Sequence, residues 1–143
     1  MKREVTGQIQ IGDKRYFIMT ETRRYNEANP VVFNDTLRPE GEDRVFRYRN
    51  GQDYLFYDFT LADGGTYIDP VGSGSSEAYF SITSSTLDSV ETPAGKFYDC
   101  IELFFDIPQY VDDEMFHIFA PGVGLIKRAA GEGPTVILNS HIF

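Results

Sequence analysis

The chain has a single cysteine, Cys100, so it can form no intrachain disulfide and no thiolate metal cluster. Two histidines, His117 and His141, leave little for a zinc or iron site, and no cofactor is expected. No run approaches the roughly 20 apolar residues of a membrane-spanning helix. The opening Met1-Lys2-Arg3-Glu4-Val5-Thr6 lacks the apolar core of a signal peptide, which implies either a cytoplasmic protein or a sequence that begins after a removed leader. Basic side chains are scarce: 13 Lys and Arg stand against 22 Asp and Glu, a net charge of −9. Binding phosphate backbones requires clustered cations, so nucleic acid is not an expected partner, and anionic membrane surfaces are disfavoured. The nearest approach to a basic patch is Arg23, Arg24, Arg47 and Arg49.

What is abundant is material for a sheet. Twelve Phe and nine Tyr supply burial for a core, and 143 residues suit a single domain, 1–143. Helical periodicity is nearly absent. Alternation at period two, rich in Val, Ile, Thr, Tyr and Phe, predicts strands at 5–11, 15–25, 31–37, 44–49, 52–60, 77–90 (broken near its middle), 97–107, 114–120, 124–129 and 135–142. Turn signals separate them, and short connections favour antiparallel neighbours. The expected class is therefore all-β, an antiparallel meander of about ten strands curled into a barrel, a half-barrel or a two-layer sandwich. Val71-Gly72-Ser73-Gly74-Ser75-Ser76 reads as a flexible loop.

Asn50-Gly51 is the sharpest turn signal, because a type I′ turn needs positive φ at both central positions. It predicts pairing of Tyr48 with Asp53 and of Phe46 with Leu55. A dry face of Phe46, Tyr48, Leu55, Tyr57 and Phe59 would then back a wet one of Arg47, Arg49, Gln52, Tyr54 and Asp58. In 97–107, the same alternation sets Phe97, Ile101, Leu103, Phe105 and Ile107 against Tyr98, Cys100, Glu102, Phe104 and Asp106.

Two segments carry a family resemblance. Pro93-Ala94-Gly95-Lys96-Phe97, with Cys100 shortly after, is followed about twenty residues later by Ala120-Pro121-Gly122-Val123-Gly124-Leu125-Ile126-Lys127. This pattern resembles one in uncharacterised exported or lipid-anchored bacterial β-proteins, and is distantly similar to the carboxy-terminal part of open-barrel lipoprotein-carrier-like domains. It spans 91–143, carries no catalytic residues, and implies an extracellular or periplasmic location. The segments also have a plain reading as turns. Pro121 and Gly122 fit the two central positions of a type II turn, and Gly124 fits a bulge or a close backbone approach.

No catalytic, cofactor-binding or metal site is assigned. Asp112-Asp113-Glu114 with Asp106 offers oxygen donors for calcium but lacks the spaced D-x-D-x-D-G loop, and reads as a solvated hairpin tip. His117, Ser140 and Asp106 can be written as a triad, yet no nucleophile-elbow motif accompanies them. Cys100 reads as a small buried hydrophobe, and Glu102 with Asp106 as surface acid rather than a glycosidase pair. Tyr48, Tyr54, Tyr57, Tyr79, Tyr98 and Tyr110 include side chains that must leave the core. The expectation is a non-enzymatic binding or structural module of an exported bacterial protein, its ligand a carbohydrate, a peptide or a hydrophobic molecule. The alternative is a carrier of a hydrophobic ligand or lipid in a curved sheet.

Overall fold

A computed structural model describes residues 2–23, 28–71, 77–111, 113–130 and 136–137. Two compact units divide the chain, Met1–Asp58 and Phe59–Phe143. The division falls ahead of the 71–76 loop, of which residues 72–76 lie outside the described residues. All regular structure among the described residues is strand.

The first unit holds β1 (Lys2–Ile11), β2 (Lys14–Arg23), β3 (Val31–Glu40), β4 (Arg44–Arg49) and β5 (Gln52–Asp58), paired in that order as an antiparallel meander. The second unit holds β6 (Thr66–Asp69), β7 (Phe80–Thr92), β8 (Gly95–Asp106), β9 (Met115–Ala120), β10 (Gly124–Ala130) and β11 (Val136–Ile137), again each paired with its neighbour in sequence. The all-β, antiparallel class is as expected, but the single meander is two. Neither sheet joins its own edge strands among the described residues, so no closed barrel forms.

The Asn50-Gly51 hairpin has the expected register, with Tyr48 opposite Asp53 and Phe46 opposite Leu55. Asn50 at φ 53° and Gly51 at φ 83° both occupy the left-handed region that the I′ turn requires. A Cβ on Gly51 would meet nothing within 4 Å, so a substitution there tests backbone strain alone. Gly51→Ala should cost about 1–2 kcal/mol, the usual penalty for a side chain in this region. Urea unfolding checks it; a cost no larger than that of an exposed-strand Ala substitution would mean the turn does not depend on positive φ.

The predicted dry and wet faces fail five residues beyond the turn. Val45 pairs with Tyr57 whereas Phe46 pairs with Leu55, so Phe56 is an extra residue in β5. This bulge moves Tyr57 to the face of Val45 and Arg47, and it leaves three consecutive residues buried: Phe56, Tyr57 and Asp58. A similar correction applies in β8. Leu103, Phe105 and Ile107 are buried as expected, but Cys100, placed on the wet side by alternation, is fully buried too. Cys100 keeps the side that alternation gives it, shared with Glu102 and its partner Ile118, but that side is not wet there: Cys100, Ile118, Ala120 and Ile126 form a cluster on which Leu87, Val90 and Phe97 pack.

Three further strand boundaries differ. β6 is absent from the expected strands, being four residues hemmed by Gly64-Gly65 and Pro70, too short for alternation to register. It is seated by backbone hydrogen bonds from Gly64 N–H to Ser84 O (2.7 Å) and from Ser84 N–H to Gly65 O (2.9 Å). β7 runs unbroken because every residue pair from Ser81–Asp106 to Leu87–Cys100 keeps one register. Of the expected strand 135–142, only Val136–Ile137 falls within the described residues.

The two family-like segments are turns. Val123 N–H donates to Ala120 O at 3.1 Å and Gly122 has φ 70°, the type II geometry expected of Pro-Gly. Gly124, at φ 97° with open space around its missing Cβ, serves the backbone angle and not a close approach. The bulge follows at Ile126, which enters the core cluster between the Leu125–Phe119 and Lys127–Ile118 pairs. Pro93-Ala94 closes a two-residue loop between Thr92 and Gly95, and Ala94 N–H donates to Thr92 Oγ1 at 3.1 Å.

Candidate functional site

The register of the first sheet sorts its charged side chains onto two faces. Partners in a ladder share a face, so one face carries the rungs Arg3–Glu21–Phe33, Val5–Met19–Asp35, Arg23–Val31 and Phe17–Leu37–Arg47–Tyr54. Two arginine–carboxylate–arginine units stand on it. Glu21 takes Arg3 Nε at 3.3 Å and Arg23 Nε in a short contact. Asp35 takes Arg47 Nε at 3.1 Å and Arg49 Nη2 at 3.8 Å. Aromatic rings lie beneath the cations: Arg23 is 4.6 Å from the Phe33 ring centre and Arg47 is 3.7 Å from that of Phe56. Phe56 in turn stacks on Tyr57 at 3.9 Å. At the end of the face held by Arg3 and Arg23 the apolar side chains are open to solvent, Val5 at 55%, Phe33 at 44% and Val31 at 40% exposure.

Four guanidinium groups thus meet two carboxylates on this face, in a chain of net charge −9. Burial pushes the Tyr57 hydroxyl above its ordinary pKa, although the nearby charges and hydrogen bond of Arg3 and the charge of Arg47 act in the opposite direction. The sequence-level basic patch contains Arg23, Arg47 and Arg49 of this set; Arg24 lies outside the described residues. Arg3 escapes it because the expected first strand starts at Val5, although Arg3 and Val5 share the same alternation.

The opposite face is organised around Asp53. Its carboxylate accepts the Tyr16 hydroxyl at 2.8 Å and a two-pronged hydrogen bond from Arg38, Nε at 3.1 Å and Nη2 at 2.9 Å, with Lys14 Nζ at 3.5 Å. Desolvation alone would raise the Asp53 pKa; the hydrogen bonds from Tyr16 and Arg38 and the charges of Arg38 and Lys14 outweigh it and hold the carboxyl below its usual range. Burial, with the bond to Asp53, pushes the Tyr16 hydroxyl up. Tyr16 and Tyr57 therefore favour their protonated forms when folded. That contribution is intact below the ordinary tyrosine pKa of about 10 and is lost as pH climbs past it. In an absorbance titration at 295 nm, these two of the nine tyrosines should ionise late and together with unfolding. A single ordinary midpoint for all nine, in protein still folded by circular dichroism, would show otherwise.

The remaining sequence candidates do not come together. His117 is buried on the Leu103–Phe105 side of the second sheet, its ring 4.7 Å from Phe105 and 6.4 Å from Phe119. Asp106 belongs to the other side of that strand, and Ser140 lies outside the described residues. Among the described residues no three His, Cys, Asp or Glu side chains gather as metal ligands, and Asp112 is outside that set. Burial, then the charge of Asp99, pushes the Cys100 thiol up, away from the reactive thiolate. Glu102 is also raised, by burial, with Lys127 opposing. It stands four residues from Asp106 along one strand, about 13 Å by strand rise, wider than a glycosidase pair. Of the six tyrosines singled out, only Tyr98 (62%) and Tyr110 (48%) are strongly exposed, and Tyr57 is buried. No helix is long and apolar enough to cross a membrane among the described residues. No family model, curated protein or solved structure matches the chain.

Proposed function

We propose that this chain is a non-catalytic binding module and that the guanidinium–aromatic face of its first sheet is the binding surface. One observation carries the reading: four arginines share Glu21 and Asp35 on a face whose Arg3–Arg23 end leaves Val5, Val31 and Phe33 open. Each guanidinium has five N–H donors and each carboxylate about four acceptor positions. Rings beneath Arg23 and Arg47 hold those two guanidinium groups in place beside Glu21 and Asp35. A rigid array of donors and apolar surface favours recognition, because little order has to be created on binding. The resemblance of the 91–127 turns to exported bacterial β-proteins supports placing the module outside the cytoplasm.

The test is a heteronuclear NMR titration with small anions and aromatic compounds. Shifts should cluster on the face of Arg3, Arg23, Arg47 and Arg49, and every probe should be recovered chemically unchanged. Shifts confined to the second sheet, or a probe converted to product, would refute the reading.

A further inference from the structure

We infer that Asn50 is a site of spontaneous covalent modification, at which the backbone nitrogen of Gly51 displaces ammonia from the side-chain amide and water opens the resulting ring. In the first step the Gly51 nitrogen gives up its proton and bonds to Asn50 Cγ. The bond from Cγ to the amide nitrogen breaks, and ammonia carries the proton away. The five-membered succinimide then adds one water. Opening at Cγ leaves an aspartate; opening at the main-chain carbonyl leaves an isoaspartate, whose Cβ has become part of the backbone. Water is the one co-reactant, and both Asn50 and Gly51 are exposed to it.

The turn supplies the geometry. Asn50 at φ 53° and Gly51 at φ 83° form a I′ turn, in which ψ of the first central residue is about 30°. A ring that holds Cβ, Cα, the carbonyl carbon and the Gly51 nitrogen near one plane requires ψ of about −120° instead, the value at the first central residue of a type II′ turn. The two turns differ by rotation of one peptide, the one between Asn50 and Gly51. That peptide lies beyond the closing Arg49–Gln52 pair, so it turns over without breaking a rung of the ladder. Asn50 keeps its positive φ throughout. Gly51 accepts the reversed φ because it has no Cβ, and nothing lies within 4 Å of where one would stand.

Other positions with the same chemistry are held. Pro30 carries no N–H with which to attack, which spares Asn29. Asn34 lies inside β3 opposite Thr20, and its side-chain oxygen accepts the Thr20 hydroxyl at 2.7 Å. Asp63-Gly64 could close the same ring with loss of water. There, however, Asp63 Oδ1 accepts Thr86 N–H at 2.8 Å and Gly64 N–H donates to Ser84 O at 2.7 Å, so both reacting atoms are tied. Asn26 and Asn139 lie outside the described residues. The consequence at Asn50 reaches beyond the turn. Isoaspartate adds a backbone atom to a two-residue loop, and the register that sets Tyr48 opposite Asp53 depends on that loop.

The experiment ages the full chain at mildly alkaline pH, folded in buffer and, in parallel, unfolded in urea. Peptide mass spectrometry with electron-transfer fragmentation then separates isoaspartate from aspartate at each position. Asn50 should lose its amide in the folded chain at a rate within about tenfold of that in urea, the equivalent of about 1.4 kcal/mol for turning the peptide over. The aged wild-type chain should also contain a fraction that unfolds at lower urea. Asn50→Gly keeps a residue suited to positive φ and removes the amide, so the same treatment should produce no such fraction. Should that variant fail to fold, the wild-type rates decide. An Asn50 that reacts more than about tenfold more slowly folded than unfolded would overturn the inference. So would an intact Asn50 in a chain modified at Asn34 or Asp63, or an equal ageing loss in Asn50→Gly.

Discussion

Replacing Leu103 with alanine is expected to cost about 2–5 kcal/mol, the range for a leucine packed in a filled core. Leu103 has 0% exposure and sits mid-ladder between Ser84 and His117. Along the same strand face Phe105 is at 1%, and across from it Ile82 is at 0%. Close packing on all sides prevents the neighbours from collapsing into the vacated volume, so the transfer term and the cavity term add. Tyr98→Ala, in the same strand but well exposed, should stay within about 0.5 kcal/mol. Urea unfolding with an unchanged slope checks both. A Leu103→Ala cost near that of Tyr98→Ala would mean that Leu103 lines an empty cavity, as a carrier of hydrophobic ligands would require.

Asp53→Ala should cost about 1–3 kcal/mol, because it strands donors rather than removing a simple pair. Tyr16 is almost fully buried, and its hydroxyl would lose the 2.8 Å bond; Arg38 would lose both prongs. Tyr16→Phe removes one donor and leaves Arg38 on the carboxylate, so it should cost less. The pH dependence gives an independent check. A carboxyl held below its unfolded pKa stabilises the fold above that value, about 3.9, and the contribution disappears as pH falls through the lower folded value. The gap between wild type and Asp53→Ala should therefore be full at neutral pH and shrink in acid. A gap no larger than that of Asp13→Ala, at an exposed turn, would show that the Tyr16–Asp53–Arg38 cluster adds nothing.

Much of the local architecture is legible in the amino-acid order. Alternation of β-branched and aromatic residues reports which backbone is adopted, and Asn50-Gly51 and Pro121-Gly122 report turns, because these are local preferences of φ and ψ. The hairpin register follows from the turn alone, since a two-residue loop dictates which residues face each other. The short β6 leaves no such mark, because four residues flanked by glycine and proline carry no period.

The candidate face is legible only in fragments. Arg47 and Arg49 stand two apart on one strand, so their shared face can be read, but nothing local ties them to Arg3 or Arg23. Those join through rungs that run from β1 across β2 and β3, and a rung exists only once the register between strands is set. The bulges at Phe56 and Ile126 act the other way, breaking the alternation of their strands and burying both side chains. Each depends on one extra residue, and the energy that favours it lies in the packing it permits. The amino-acid sequence by itself determined strand, turn and the acidic balance of the chain, since these depend on a residue and its immediate neighbours. The tertiary structure alone decided which charges share a face and where the alternation breaks, because both depend on residues brought together from distant strands.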